Sequence, residues 1–222
     1  MNNKDYILRV EDQGSGAKCV AYALTTVIEY QARRQHGLMM NLSPDYIYDR
    51  RINKSGSGMY KSDAINIASN GVATEYHHYR RPIGLKTYVS IGSYVNPSNM
   101  GEVRKLLRDG FIALLGGSGH SKVLVEASVL VDDDEEGFLV LDTAGSKKWK
   151  YISGLGIDLG QCYFVTDVKY DKQNDWAHEG QWLKILYYDW YMRFVRNPNL
   201  GKAIVIGSVF LLALAVRFLL GL

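Results

Sequence analysis

The hydrophobic pattern of this chain changes period near its middle, and that change limits the fold class more than any other feature. Up to about residue 108, apolar residues recur at helical intervals. Beyond it they fall into short runs rich in β-formers. Cys19 to about His36 carries Val20, Leu24, Val27 and Ile28 on a helical pattern, with Gly37 placed as a C-cap. Ser43-Pro44 is an N-cap and N1 pair that opens a short helix. Tyr60 to Ser69 is helical and stops at Asn70-Gly71. A polar connection rich in Gly, Pro and Tyr runs from about His77 to Pro97, and Asn99 to Arg108 forms a last helix ended by Asp109-Gly110. Strands are expected at Phe111–Leu115, Lys122–Val131, Phe138–Asp142, Trp149–Ile152 and Cys162–Val168. Helices followed by a run of strands give an α+β protein of two lobes, a helical lobe over about 13–80 and an antiparallel β-sheet lobe over about 98–170.

Composition removes several function classes. The 222 residues suffice for one sizeable core or two small lobes. A net charge of +3 is too small to imply nucleic acid, and no nucleic-acid partner is expected. Two cysteines, Cys19 and Cys162, cannot build a disulfide framework, and a reducing compartment is the simpler reading. With no CxxC or HExxH pattern, neither a metal site nor any organic cofactor is expected. The acidic run Asp132-Asp-Asp-Glu-Glu-Gly137 lacks EF-hand spacing and reads as a solvated hairpin tip. The first residues, Met-Asn-Asn-Lys-Asp, contain no apolar run of a secretory signal.

The C-terminal segment is of another kind. Residues 176–202 form an aromatic and basic approach, with Trp182, Tyr187, Tyr188, Trp190, Tyr191 and Phe194 suited to a membrane interface. Ala203 to Leu222 is apolar apart from Arg217, and as a helix it would span about 30 Å, the thickness of a bilayer core. Arg217 is near enough to the end to snorkel to the far interface. A single-pass C-terminal transmembrane helix is therefore expected, with the membrane as a partner through Ala203–Leu222. Lys184, Arg193, Arg196 and Lys202 outnumber Asp189 on its N-terminal flank and place the domain at 1–175 on the cytoplasmic, or virion-interior, side.

The chemistry concentrates at Gln13-Gly-Ser-Gly-Ala-Lys-Cys19-Val-Ala-Tyr-Ala-Leu24. A cysteine that opens a helix sits among unpaired backbone N–H groups and at the positive end of the helix dipole, which favours a thiolate. A glutamine six residues earlier can aim its amide at an oxyanion beside the N–H of Cys19. A buried cysteine at the start of an ordinary helix is the plain alternative. Of the five histidines, His36 ends a helix, His77 and His78 lie in the tyrosine-rich connection, and His178 is in the membrane approach. His120 follows Gly116-Gly-Ser-Gly119 and starts the run Ser121 to Ala127, which makes it the candidate base; a loop residue after a glycine run is the alternative.

This segment resembles the nucleophile motif of papain-like cysteine peptidases, the matching residues being Gln13, Gly14, Ser15, Cys19, Ala21, Tyr22 and Ala23. The likeness continues. Leu42 to Asp49 looks like the family's second helix, and Gly56-Ser-Gly58-Met-Tyr with Ala64 to Gly71 looks like its substrate-binding glycine turn and third helix. It covers about residues 7–170 and loosens after Gly84. Val20 stands where the family usually has Trp, the helical-lobe cysteines are missing, and 18 residues before Cys19 leave no room for the usual inhibitory prodomain. The resemblance implies a papain-like two-lobe fold in which His120 opens a central strand and Asp142 takes the place of the family's Asn as orienter of the imidazole. It further implies that Gly56 and Gly58 line the cleft and bind substrate backbone. The implied activity is hydrolysis of peptide or isopeptide bonds in a peptide or protein substrate by Cys19, His120 and Asp142, with Gln13 as oxyanion donor. Two alternatives stay open: a catalytically silent interaction or structural membrane protein, for example of a membrane-containing virus, and an amidase or acyl transferase using the same residues.

Overall fold

The strand-forming runs of the second half pair into one six-stranded antiparallel sheet in the computed structural model. Its strands are β1 (Val89–Val95), β2 (Ala113–Gly117), β3 (His120–Val129), β4 (Glu136–Leu141), β5 (Trp149–Ser153) and β6 (Cys162–Tyr170). They hydrogen-bond in the order β1-β6-β2-β3-β4-β5. The helices are α1 (Cys19–His36), α2 (Pro44–Asp49), α3 (Lys61–Ser69) and α4 (Met100–Arg108). The structure describes residues 3–7, 11–14, 16–75, 78, 87–117, 119–129, 136–144 and 149–170, all within one contact unit, Met1–Ala177. The expected hairpin tip at 132–135, His77, Ser15, His178, the aromatic approach and the membrane helix at Ala203–Leu222 lie outside the described residues. Among the described residues no helix is long and apolar enough to cross a membrane.

Local chemistry sets the helix boundaries. Gly37 ends α1 in the left-handed region at φ 67°, and its N–H donates to Arg33 O at 2.8 Å. Ser43 caps α2 through a side-chain oxygen that accepts from Tyr46 N, with Pro44 in the first turn. Asn99 caps α4 in the same way, accepting from Glu102 N at 2.9 Å.

Two apolar layers form on the two faces of the sheet. Period-two alternation decides which side chain goes to which: Leu114 faces one layer, while Ala113 and Leu115 face the other. The first layer is filled by α1, which is buried at fourteen successive residues, Cys19 to Ala32. A helix buried all round must pack on both sides, and α1 meets β2, β3 and β6 on one and α2 and α3 on the other. Its interior polar groups are accommodated individually. Thr25 and Thr26 donate to Tyr22 O, Glu29 Oε1 accepts from Leu42 N, and Gln31 Nε2 donates to Thr166 O. The second layer is closed by α4 through Val103 and Leu107, against Leu124, Phe138, Val140 and Phe164.

One boundary differs from the sequence reading. The connection drawn from His77 to Pro97 contains β1, an edge strand of the sheet, so the sheet begins before residue 98. Val-Ser-Ile-Gly-Ser-Tyr-Val alternates correctly, but its serines and glycine weaken the signal, and pairing with β6 supplies what propensity lacks.

Tyr30 fastens α1 to two other parts of the chain: its hydroxyl donates to Gly110 O at 2.6 Å and lies 3.1 Å from Asn3 Oδ1. Burial raises its pKa to about 12, against a smaller lowering by Arg34, so it remains a neutral donor. Tyr30→Phe is expected to lower the urea-unfolding free energy by about 1–2 kcal/mol, because Gly110 O loses its donor while the ring packing stays.

Candidate active site

Cys19 is the first residue of α1, and the helix starts bare. Lys18 at the N-cap makes no side-chain cap hydrogen bond, and no acidic residue occupies the first turn. The Lys18 ammonium pairs instead with Asp45 at 2.7 Å. The first backbone N–H groups of α1 are thus left without a side-chain acceptor at the thiol. Cys19 retains 9% of its surface and Cys162 none. Burial, helped by Asp158, pushes the Cys162 thiol up to about 12, which makes it an inert neutral core group.

His120 and Asp142 are brought together by the sheet. β2 and β3 pair with Gly117 opposite His120, and Gly119, just before β3, takes φ 75°. His120 therefore stands at the first position of β3. β4 runs antiparallel to β3 with Val123 opposite Leu141, and Asp142 follows one residue later. Continuing that register places Asp142 opposite Lys122, so His120 is its diagonal neighbour on the same face. The result is a hydrogen bond of 2.7 Å between His120 Nε2 and Asp142 Oδ1. The Asp142 side chain is 5% exposed and the imidazole 30%. With Nε2 held by the carboxylate, Nδ1 is the nitrogen left for proton exchange.

Two further groups hold the carboxylate. Lys150, the diagonal neighbour on β5, donates to Asp142 Oδ2 at 2.9 Å, and Ala144 N donates to Oδ1 at 3.0 Å. Burial alone would raise the pKa of Asp142. The hydrogen bonds from Lys150, His120 and Ala144, with the charge of His120, outweigh it and bring the value down to about 2. Sequence reasoning missed Lys150, because nothing in a sequence marks a diagonal pair across two strands before the register is known.

Gln13 belongs to the same end of the sheet. Its N–H donates to Thr143 O at 3.1 Å, and Thr143 Oγ1 donates to its Oε1 at 2.8 Å. Gln13 Nε2 donates to Gly16 O at 3.0 Å, which leaves the amide one more hydrogen. The structure thus joins Gln13 to the residue after Asp142 and joins Asp142 to His120. Among the described residues, no hydrogen bond links Cys19 to His120 or Gln13.

The two glycines differ. Gly58 has φ 93° and open space where a Cβ would point, so its backbone is presented without obstruction. Gly56 is folded over the Asn53 side chain, whose Oδ1 accepts its N–H at 3.1 Å; a Cβ there would strike Asn53. Its glycine serves the turn. Among the described residues, no group of His, Cys, Asp and Glu is arranged to hold a metal ion.

No family model and no curated protein matches the sequence. Solved structures do. Bromelain from Ananas comosus, determined with the E64 inhibitor, superposes with a TM-score of 0.57 at 15% identity, covering 74% of this chain and 96% of that one. Digestive procathepsin L 3 of the Tenebrio molitor larval midgut gives 0.57 at 13% identity, over 73% and 68%. The cysteine protease and lectin-like domains of Cwp84, a surface-layer-associated protein of Clostridium difficile, give 0.60 at 14%, over 78% of this chain and 52% of that one. This chain has the papain-like fold. The chain spans about half of the Cwp84 structure and nearly all of bromelain.

The hold on Asp142 has a consequence for acid stability. Its folded pKa lies below the ordinary 3.8, so its contribution is complete above about pH 5 and is lost as pH falls toward 2. Between those limits the protein is expected to lose about 2 kcal/mol that Asp142→Asn does not lose, measured by denaturant unfolding of both proteins at stepped pH.

Proposed function

We propose that the chain is a papain-like cysteine peptidase whose nucleophile is Cys19. The observation that carries this reading is the His120–Asp142 hydrogen bond, formed where two inner strands end in a sheet against which the Cys19 helix packs. In the reaction, His120 Nδ1 takes the thiol proton as Cys19 Sγ attacks the carbonyl carbon of a peptide or isopeptide bond. The negative oxygen of the tetrahedral intermediate is stabilised by the N–H of Cys19 and the remaining N–H of Gln13. His120 gives its proton to the departing amine, leaving a thioester. Water, deprotonated by His120, then cleaves that thioester and restores the thiol. Asp142 acts through His120: it holds the ring and offsets the imidazolium charge, while Lys150 and Ala144 fix the carboxylate. Gly58 offers its backbone to the substrate. Ala203–Leu222 anchors the enzyme in a membrane with the peptidase domain on the cytoplasmic or equivalent interior side.

An epoxysuccinyl probe is expected to label full-length wild-type protein at Cys19, and a peptide library to be cleaved. Cys19→Ala should abolish both. His120→Ala should lower kcat by about 100- to 10,000-fold, and Asp142→Asn by less, since an amide oxygen still accepts the ring N–H. Turnover that survives in Cys19→Ala sinks the assignment. Carbonate extraction tests the anchor: the full chain should stay with the membrane pellet, and its release into the supernatant refutes a spanning helix.

A further inference from the structure

Lys61 begins α3, directly after the glycine turn, and its side chain crosses to the sheet. Its ammonium donates to Gln161 Oε1 at 2.8 Å, in the short 3-10 turn Leu159–Gln161 that leads into β6. On the way it lies over Gly116 of β2, in the space a Cβ at that position would fill. Gly116 is the neighbour of Gly117, whose partner across the hairpin is His120. The ammonium is also close enough to Cys19 for the two to interact electrostatically. Lys61 is therefore a half-buried cation beside the nucleophile, built into place by three elements.

The partners of this cation are incomplete. Its hydrogen-bond acceptor is a neutral amide. Asp158 attracts it only at longer range, and Lys61 forms no ion pair within the described residues. Burial lowers its pKa, with Cys19 and Asp158 opposing, and among the described residues no carboxylate lies within hydrogen-bond reach to compensate. A carboxylate arriving with the substrate would meet a half-buried, pre-positioned donor, and Gln161 can yield its place at little cost. Charge-assisted hydrogen bonds of this kind are roughly twice as strong as neutral ones.

We infer that Lys61 is a specificity-determining residue that selects substrates carrying an aspartate or glutamate side chain close to the scissile bond. The inference rests on the peptidase reading above and names the substrate class of that same site.

The test uses the full-length protein and quenched fluorescent peptides that differ only by Asp or Glu against Asn, Gln, Lys or Arg at single positions flanking the cleaved bond. Wild type should prefer the acidic peptide over its amide isostere by about 10- to 100-fold in kcat/KM at one position. Lys61→Glu should reverse the preference toward Lys or Arg at that position. Gln161→Glu leaves Lys61 in place but gives it a carboxylate of the protein's own, and should bring the ratio to about one; it also guards against a Lys61 variant that does not fold. Cleavage by wild type that ignores charge, or an acidic preference that persists in Lys61→Glu, overturns the inference and leaves the peptidase reading standing. Failure of Cys19 to take the epoxysuccinyl probe, with no peptide cleaved, overturns the peptidase reading and this inference with it.

Discussion

Helix α1 is packed against the sheet on one side and against α2 and α3 on the other, and the site inherits its geometry from that double burial. A helix exposed on one face can rotate or slide at modest cost. One buried through fourteen successive residues cannot, because every shift misplaces side chains on both sides. Its polar interior adds direction to what apolar packing leaves free. Glu29 must meet Leu42 N, Gln31 must meet Thr166 O and Tyr30 must meet Gly110 O, and these three partners lie in different parts of the chain. The position of Cys19 along and around the helix axis follows from those bonds together. The start of α1, like that of α3, has no capping side chain, whereas Ser43 and Asn99 cap α2 and α4.

The second half of the site has a different physical origin. His120 and Asp142 are placed by sheet register, which has a period of two and moves in whole residues. A slip of one residue between β3 and β4 would turn one of them to the opposite face. The register is held by apolar alternation, with Val123 and Leu141 on the α1 side and Leu124 and Val140 on the α4 side. The two layers of the core thus protect a hydrogen bond at the ends of two inner strands. Lys150 extends the logic to a third strand: one carboxylate receives His120 on one oxygen and Lys150 on the other, and its charge is spread over both.

Much of this was legible in the sequence because it rests on local chemistry. The Gly37 end of α1, the Ser43-Pro44 start of α2, the Asn99 cap of α4 and five of the six strands are each written in a few adjacent residues. β1 was missed for the converse reason: Ser90, Gly92 and Ser93 give it little intrinsic preference, and it exists through its pairing with β6. Of the site residues singled out in the sequence, His120 and Asp142 are hydrogen-bonded to each other, Gln13 is joined to Thr143, and Cys19 opens α1. The supports of those residues were not legible. Lys150 on Asp142 and Thr143 on Gln13 depend on diagonal pairing and on loop docking, neither of which leaves a spacing signature. Gly56 is a further case: the sequence marks the glycine but not the Asn53 side chain packed against it, whose Oδ1 accepts its N–H.

Glycine and lysine at positions 116 and 61 form a single feature, although 55 residues separate them. A side chain at 116 would occupy the path that Lys61 takes to Gln161, so the glycine is needed for close approach; positive φ plays no part there. The same strand must remain paired with β3 to hold His120. A residue larger than glycine at 116 would therefore displace Lys61 and press on Gln161 Cβ, while the β2–β3 register, and with it the His120–Asp142 bond, remained set by the flanking pairs Leu115–Lys122 and Gly117–His120. The placement of His120 and the path of Lys61 are thus carried by the same strand but by separable features of it: backbone pairing for one, and the absence of a side chain for the other.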